Sequence, residues 1–221
     1  MKKIIWPGLL SLSLMILIVI SGAAIADGNS LEKISYNSSS EIIEIDIEIP
    51  RFRDDFSQAA RYNQEFINNA LDFAFEMQEM AARDFESFEG EDWGFRTYNA
   101  AISYDLQKYN DLISLTFSHY RYTGGAHGIT SRFSYNIDKE TGEQLNLKEF
   151  LERTELNLED INYEIQEEIE ANPADYHSGL DFTGIREDHE YYLKDSALVI
   201  YFQLYEIAPY AFGFPEFEIE Y

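Results

Sequence analysis

Ile43-Glu44-Ile45-Asp46-Ile47-Glu48-Ile49 alternates β-branched with acidic residues, and Pro50 follows. A period of two places the isoleucines on one face and the carboxylates on the other. That is the pattern of a half-buried strand, which the proline is expected to end. The period then changes. Phe56, Ala60, Asn63, Ile67, Ala70, Ala74, Met77, Ala81, Phe85 and Phe88 recur every three or four residues, and Tyr62, Phe66, Phe73 and Met80 widen their face. This spacing predicts one long helix, with Asp54 and Asp55 at its start and Gly90 at its stop. A wide apolar face on a helix that follows such a strand is a face that packs on a sheet.

Beyond the helix the strand pattern returns. Residues 96–106 and 112–122 flank a Lys108-Tyr109-Asn110-Asp111 turn, as in a hairpin. Gly124, Gly125 and Gly128 punctuate a tight connection into a strand over 130–137, and Asp138-Lys139-Glu140-Thr141-Gly142 is a turn with glycine supplying positive φ. Residues 145–151 and 158–169 read as two helices and 172–188 as a surface loop. A hairpin over 191–204 turns at Lys194-Asp195-Ser196. Its second strand, Ala197-Leu198-Val199-Ile200-Tyr201-Phe202, is apolar throughout and is expected to be central and covered on both faces. A Pro/Gly/aromatic loop over 208–215 and a short strand to Tyr221 close the chain. The predicted class is α+β: a largely antiparallel sheet packed against a long N-terminal helix and shorter inserted helices.

Of the 221 residues, the roughly 195 that follow the N-terminal apolar segment suit one domain, or two small lobes sharing a core. With 45% apolar and 15% aromatic residues the chain is too hydrophobic for disorder. No Cys is present, which excludes disulfides and thiolate chemistry. Asp and Glu number 41 against 16 Lys and Arg, a net charge of −25. Such a surface serves solubility first; it also repels nucleic acid and anionic lipid and attracts cations or basic proteins. At the start, Lys2 and Lys3, an apolar run from Ile4 to Ile20 and the small-x-small Ala24-Ile25-Ala26 compose an export signal cut after Ala26. An uncleaved anchor is the other reading, since residues 4–26 are long enough to span a bilayer. Either way the chain is expected outside the cytoplasmic membrane, secreted or attached at its outer face. Residues 27–40 are polar and read as a spacer or a loose first strand; 41–92 form a strand-helix half and 93–221 an α+β domain.

No catalytic, cofactor or metal site is predicted. His127 sits in a glycine loop, Gly124-Gly125-Ala126-His127-Gly128, but this loop lies between strands and lacks the spacing of a phosphate loop. Its glycines serve positive φ and close approach, with the imidazole bonding to nearby backbone. His119, His127, His177 and His189 form no HxxxH or HExxH pattern. Asp175, Asp181, Glu187, Asp188 and Glu190 could gather Ca²⁺, yet without EF-hand spacing they read as a solvated acidic loop. No GxSxG or SxxK is present. The best binding candidate is the loop 208–215, where Pro209, Tyr210, Phe212 and Phe214 offer rigid aromatic anchors; the equal alternative is that its rings fold back to cover the sheet.

Three segments carry a family resemblance: Tyr122-Thr123-Gly124-Gly125-Ala126-His127-Gly128; Tyr135-Asn136-Ile137-Asp138 through Thr141-Gly142-Glu143 with Leu145 and Leu147; and Tyr201-Phe202-Gln203-Leu204-Tyr205-Glu206-Ile207-Ala208-Pro209-Tyr210-Ala211 through Gly213 and Pro215-Glu216-Phe217. In this order they resemble the family called domain of unknown function 3298. The strand at 42–49 and its helix resemble the half that usually precedes that domain. The resemblance implies a bacterial envelope module. Such modules form the extracytoplasmic part of RsiV-type anti-sigma factors, which bind lysozyme, and precede the catalytic domain of PdaC-type peptidoglycan deacetylases. In neither setting is this domain known as the catalyst. Only Met1-Lys2-Lys3 precedes the apolar run, and the chain ends just after the family's last strand, so neither a sigma-binding segment nor a deacetylase domain is expected. The expectation is a non-catalytic envelope-binding domain whose partner is a basic envelope-active protein such as lysozyme, or peptidoglycan. A cell-wall glycan hydrolase or deacetylase-like enzyme is the alternative. The membrane enters only through the N-terminal segment, if uncleaved.

Overall fold

The computed structural model describes residues 31–53, 56–88, 94–109 and 111–221. The residues read as an export signal, and Asp54, Asp55 and Gly90, lie outside them. Strand β1 (Leu31–Ser39) occupies most of the expected spacer, because Ile34 and Tyr36 face the same core as the isoleucines of β2 (Ile43–Phe52), their antiparallel partner. Pro50 does not end β2. The next strand, β3 (Tyr98–Tyr109), pairs in parallel with β2 only as far as Ile47↔Ile102. Beyond that point one side of β2 has no ladder to break, and a proline is tolerated there.

Helix α1 (Ala59–Phe88) makes the crossover between these parallel strands. Tyr62, Phe66, Ala70, Phe73, Met77 and Ala81 are buried against the sheet, so the second aromatic row is the centre of the packed face. Ala60 and Phe88 are exposed. Asn63 fixes the helix to the end of β2, accepting from the Phe52 N–H at 2.7 Å and donating to its carbonyl at 2.8 Å. Strands β4 (Leu112–Tyr122) and β5 (Ile129–Asp138) complete a sheet ordered β1-β2-β3-β4-β5.

The rest of the chain builds a second sheet. Helices α2 (Leu147–Leu151) and α3 (Leu158–Ala171) precede β6 (Tyr191–Lys194), β7 (Ala197–Tyr201) and β8 (Glu216–Glu220), an antiparallel meander with β7 central and all five of its residues buried. Ile161, Ile165 and Ile169 of α3 and Phe150 of α2 pack on one face of it, forming a second core. The expected single sheet is therefore two, each with its own helices. Among the described residues no helix is long and apolar enough to cross a membrane.

Side chains join the two sheets. Ser114 of β4 and Asn136 of β5 are buried and bonded to each other at 2.7 Å; Ser114 Oγ accepts the Leu193 N–H at 2.9 Å, and Asn136 Nδ2 donates to the Tyr191 carbonyl at 2.7 Å. The outer edge of β5 is also capped by side chains. The Gln203 amide accepts from the Arg132 N–H at 3.0 Å and donates to its carbonyl at 2.7 Å, copying an antiparallel partner, and Glu190 accepts from the Ser134 N–H at 3.3 Å.

The helix lies over β2 and β3, and the β4–β5 side of that face is less covered. His119 is half-buried there between the rings of Phe73 and Phe133, each 5.0 Å away. Desolvation, and secondarily the charge of Arg121, push its pKa down to about 4. A base with a depressed folded pKa takes up its proton more readily when unfolded. Stability is therefore lost as pH falls from about 6.5 to about 4. Partial solvation reduces the loss to roughly 1–2 kcal/mol. The general relief of carboxylate repulsion near the pI of 4.3 acts in the opposite direction, so the effect is read as a difference. His119→Gln is expected to lose less stability than the parent between these pH values in urea titrations; parallel curves would refute the assignment.

Candidate functional site

The two loops singled out in the sequence meet in space. Gly124 adopts φ 84°, and the carbonyls of Gly124 and Gly125 accept hydrogen bonds from Arg96 Nη1 at 3.2 and 3.1 Å. A Cβ on the buried Gly128 would overlap the Tyr120 ring. Gly124 thus serves its positive φ and Gly128 the close approach of the Tyr120 ring. Between them His127 is turned onto the second loop. Its ring stacks on Tyr210 at 4.3 Å and lies 6.4 Å from Tyr205, and these two tyrosines are 5.4 Å apart.

Hydrogen bonds fix this stack. His127 Nδ1 is 2.8 Å from the Gly128 carbonyl, and Nε2 is 3.2 Å from the Tyr205 hydroxyl. A carbonyl only accepts, so in the neutral ring the proton sits on Nδ1 and Nε2 accepts from Tyr205. The Tyr210 hydroxyl donates to the same Gly128 carbonyl at 3.1 Å. Both imidazole nitrogens are thereby engaged, one by a carbonyl and one by a phenol, and among the described residues neither bonds to a carboxylate.

The loop 208–215 divides its rings. Exposed Pro209 opens a short 3-10 helix, Tyr210–Phe212. Tyr210 tucks onto His127. Phe212 projects, 43% exposed, with one side near Tyr176 at 5.8 Å. Phe214 lies under the Arg132 guanidinium at 4.1 Å, and Arg132 also pairs with Glu216. Sequence reasoning missed Tyr205, which is exposed and holds φ 69°, a left-handed conformation costing a tyrosine about 1–3 kcal/mol. His177 Nε2 donates to its carbonyl at 3.0 Å and helps hold it. The sequence carries no signal for this, since nothing in Leu204-Tyr205-Glu206 asks for positive φ.

Acidic residues rim the patch. Glu206 follows Tyr205, while Glu168 and Asp175 act on Tyr176; desolvation chiefly, and then these charges, raise the Tyr176 pKa. On α3 itself Glu159, Asp160, Glu164, Glu167, Glu168 and Glu170 are all exposed and the helix has no basic residue. Three of the five carboxylates considered for Ca²⁺ go to separate partners instead. Glu187 pairs with Lys148, Asp188 with Arg186, and Glu190 bonds Ser134 and Tyr201. Among the described residues no group of three or more His, Cys, Asp or Glu could hold a metal ion.

Comparison with known proteins finds two family matches along the chain. Residues 36–130 match the family Deacetylase PdaC, and residues 148–221 match the protein family of unknown function DUF3298. The glycine loop lies in the first match and the aromatic loop in the second, so the ring stack joins the two. Crystal structures of DUF3298 family proteins share the fold. One from Bacteroides fragilis is 19% identical with a TM-score of 0.57, covering 92% of each chain. One from Pseudomonas aeruginosa is 18% identical with a TM-score of 0.57, covering 88% of this chain and 92% of its own. No curated protein matches the chain.

Proposed function

From a chain that joins a PdaC-type region to a DUF3298 domain, we propose an extracytoplasmic, non-catalytic binding domain of the bacterial cell envelope. It recognises a basic envelope-active protein, of which a cationic lysozyme is the test case. The observation that carries this reading is the His127–Tyr205–Tyr210 stack with Phe212 beside it. Rigid, partly exposed aromatics lose little entropy on binding and are frequent at interface centres. The strained φ of Tyr205 supports it, because such conformations collect at functional sites. The acidic rim supports a basic partner, since opposite charge speeds encounter. The engagement of both His127 nitrogens by a carbonyl and a phenol supports a role in shape rather than chemistry.

The test is surface-binding kinetics of residues 27–221 with a cationic lysozyme across a salt series. Association is expected to slow as salt rises. Tyr205→Gly relieves the positive φ, so it should leave stability equal or higher while weakening binding by about tenfold or more. No retention at low salt, or full binding by Tyr205→Gly, would sink the proposal. Release of muropeptides by the purified chain would favour the enzymatic alternative.

A further inference from the structure

A cavity of about 360 Å³ opens between α1 and the less covered β4–β5 side of the first sheet, away from the ring stack. Its size is at the lower end for small-ligand sites. The floor is apolar, built by Phe66 and Ala70 of α1 with Ile102 and Phe117 of the sheet. At its mouth stands Phe133, 43% exposed, beside His119 and Tyr135. The rim is polar and comes from three places in the chain: Glu65 and Asn69 on α1, Gln144 after β5, and Glu190 before β6.

Each rim carboxylate is anchored through one oxygen. Glu65 Oε1 accepts from the Tyr135 hydroxyl at 3.0 Å; Glu190 Oε2 accepts from the Ser134 hydroxyl at 2.7 Å and the Tyr201 hydroxyl at 2.8 Å. Asn69 donates to the Tyr135 oxygen at 3.2 Å, and Gln144 Nε2 is 3.5 Å from the Ser134 carbonyl. Glu65 Oε2, Glu190 Oε1, Asn69 Oδ1 and Gln144 Oε1, all acceptors, are left without partners among the described residues. The donors that remain are one N–H each on Asn69 and Gln144 and the ring N–H of His119, so acceptors and negative charge predominate. No Lys or Arg lines the cavity, and neither carboxylate has an ion-pair partner among the described residues.

A ligand complementary to this rim is rich in donors and positively charged. To suit the floor and Phe133 it also needs a flat apolar face. A pyranose ring carrying a free amine meets both demands: its C–H face stacks on an aromatic ring, and its hydroxyls and ammonium donate outward. We propose that this cavity is a binding site for an amino sugar with an unacylated amine. It is separate from the protein-binding patch, and neither reading depends on the other.

The test is an NMR titration of isotopically labelled residues 27–221 with glucosamine, N-acetylglucosamine, glucose and butylamine, at a pH where the amines are protonated. Glucosamine is expected to shift the amide signals of residues 65–70, 119 and 133–135, and to bind about tenfold more tightly than the other three, as a charge-assisted contact warrants. Glu65→Gln and Glu190→Gln should each weaken glucosamine by a similar factor. Glu44→Gln, on the opposite face of the sheet, should leave it unchanged. Absence of shifts at these residues would overturn the proposal. So would equal binding of N-acetylglucosamine or butylamine, or full affinity in both glutamine variants. If a glutamine variant does not fold, as judged by its own spectrum, the four-ligand series on the parent chain decides.

Discussion

Asn136→Ala is expected to destabilise the protein by about 2–5 kcal/mol, among the largest effects of any polar substitution here. Asn136 is 3% exposed and bonded on both sides. Its amide nitrogen donates to the Tyr191 carbonyl in the second sheet, and its oxygen accepts from Ser114 in the first. Removing the side chain leaves the buried Tyr191 carbonyl without its donor and the buried Ser114 O–H without an acceptor, each costing about 1–3 kcal/mol. Because the lost bond to Tyr191 lies between the sheets, protection of the β6 amides against hydrogen exchange should fall more than that of the β2 amides. Urea unfolding gives the total. A loss under about 1 kcal/mol would mean that the junction is held by its apolar surroundings instead.

Gly142→Ala should cost about 2–4 kcal/mol, combining a positive-φ penalty with overpacking. Gly142 has φ 73°, and a Cβ there would overlap Gln58 Cγ and come within 2.8 Å of Gln58 Cβ. Its carbonyl also receives the buried Tyr62 hydroxyl at 3.1 Å, so the turn cannot shift without disturbing the start of α1. Gly179 offers an internal control. It has nearly the same φ, 74°, but nothing within 4 Å of the added carbon. Gly179→Ala should therefore show the backbone penalty alone, about 1–2 kcal/mol. Equal effects at the two sites in thermal and urea unfolding would remove the packing part of the argument.

How much of this was legible in the sequence follows the range of the interactions. The alternation from Ile43 to Ile49, the helical period through Met77 and the apolar run at Ala197–Tyr201 are local patterns, and each produced its element. The strand at Leu31–Ser39 was only half legible. Ile34 and Tyr36 are spaced for one face, but Asn37-Ser38-Ser39-Ser40 hides the signal. Its pairing depends on β2, which supplies the partner. The split into two sheets could not be read at all, because it rests on where hairpins separate and not on composition. The candidate site shows the same divide. The glycine loop and the aromatic loop were each visible as segments, but the stacking of His127 on Tyr210 joins residues more than eighty positions apart. The cavity is further removed still. Glu65, Gln144 and Glu190 share no motif, and only the incomplete cover of α1 brings them around one space.

The side-chain caps on β5 bear on what copies of this protein can do to one another. A filament built by adding strands needs two receptive margins on the same sheet, one to give and one to receive. Gln203 and Glu190 already occupy one margin of the five-stranded sheet. Only β1, which has no strand outside it among the described residues, remains receptive there. Among the described residues, strand addition on that sheet is thus self-limiting: it ends when two molecules have met margin to margin.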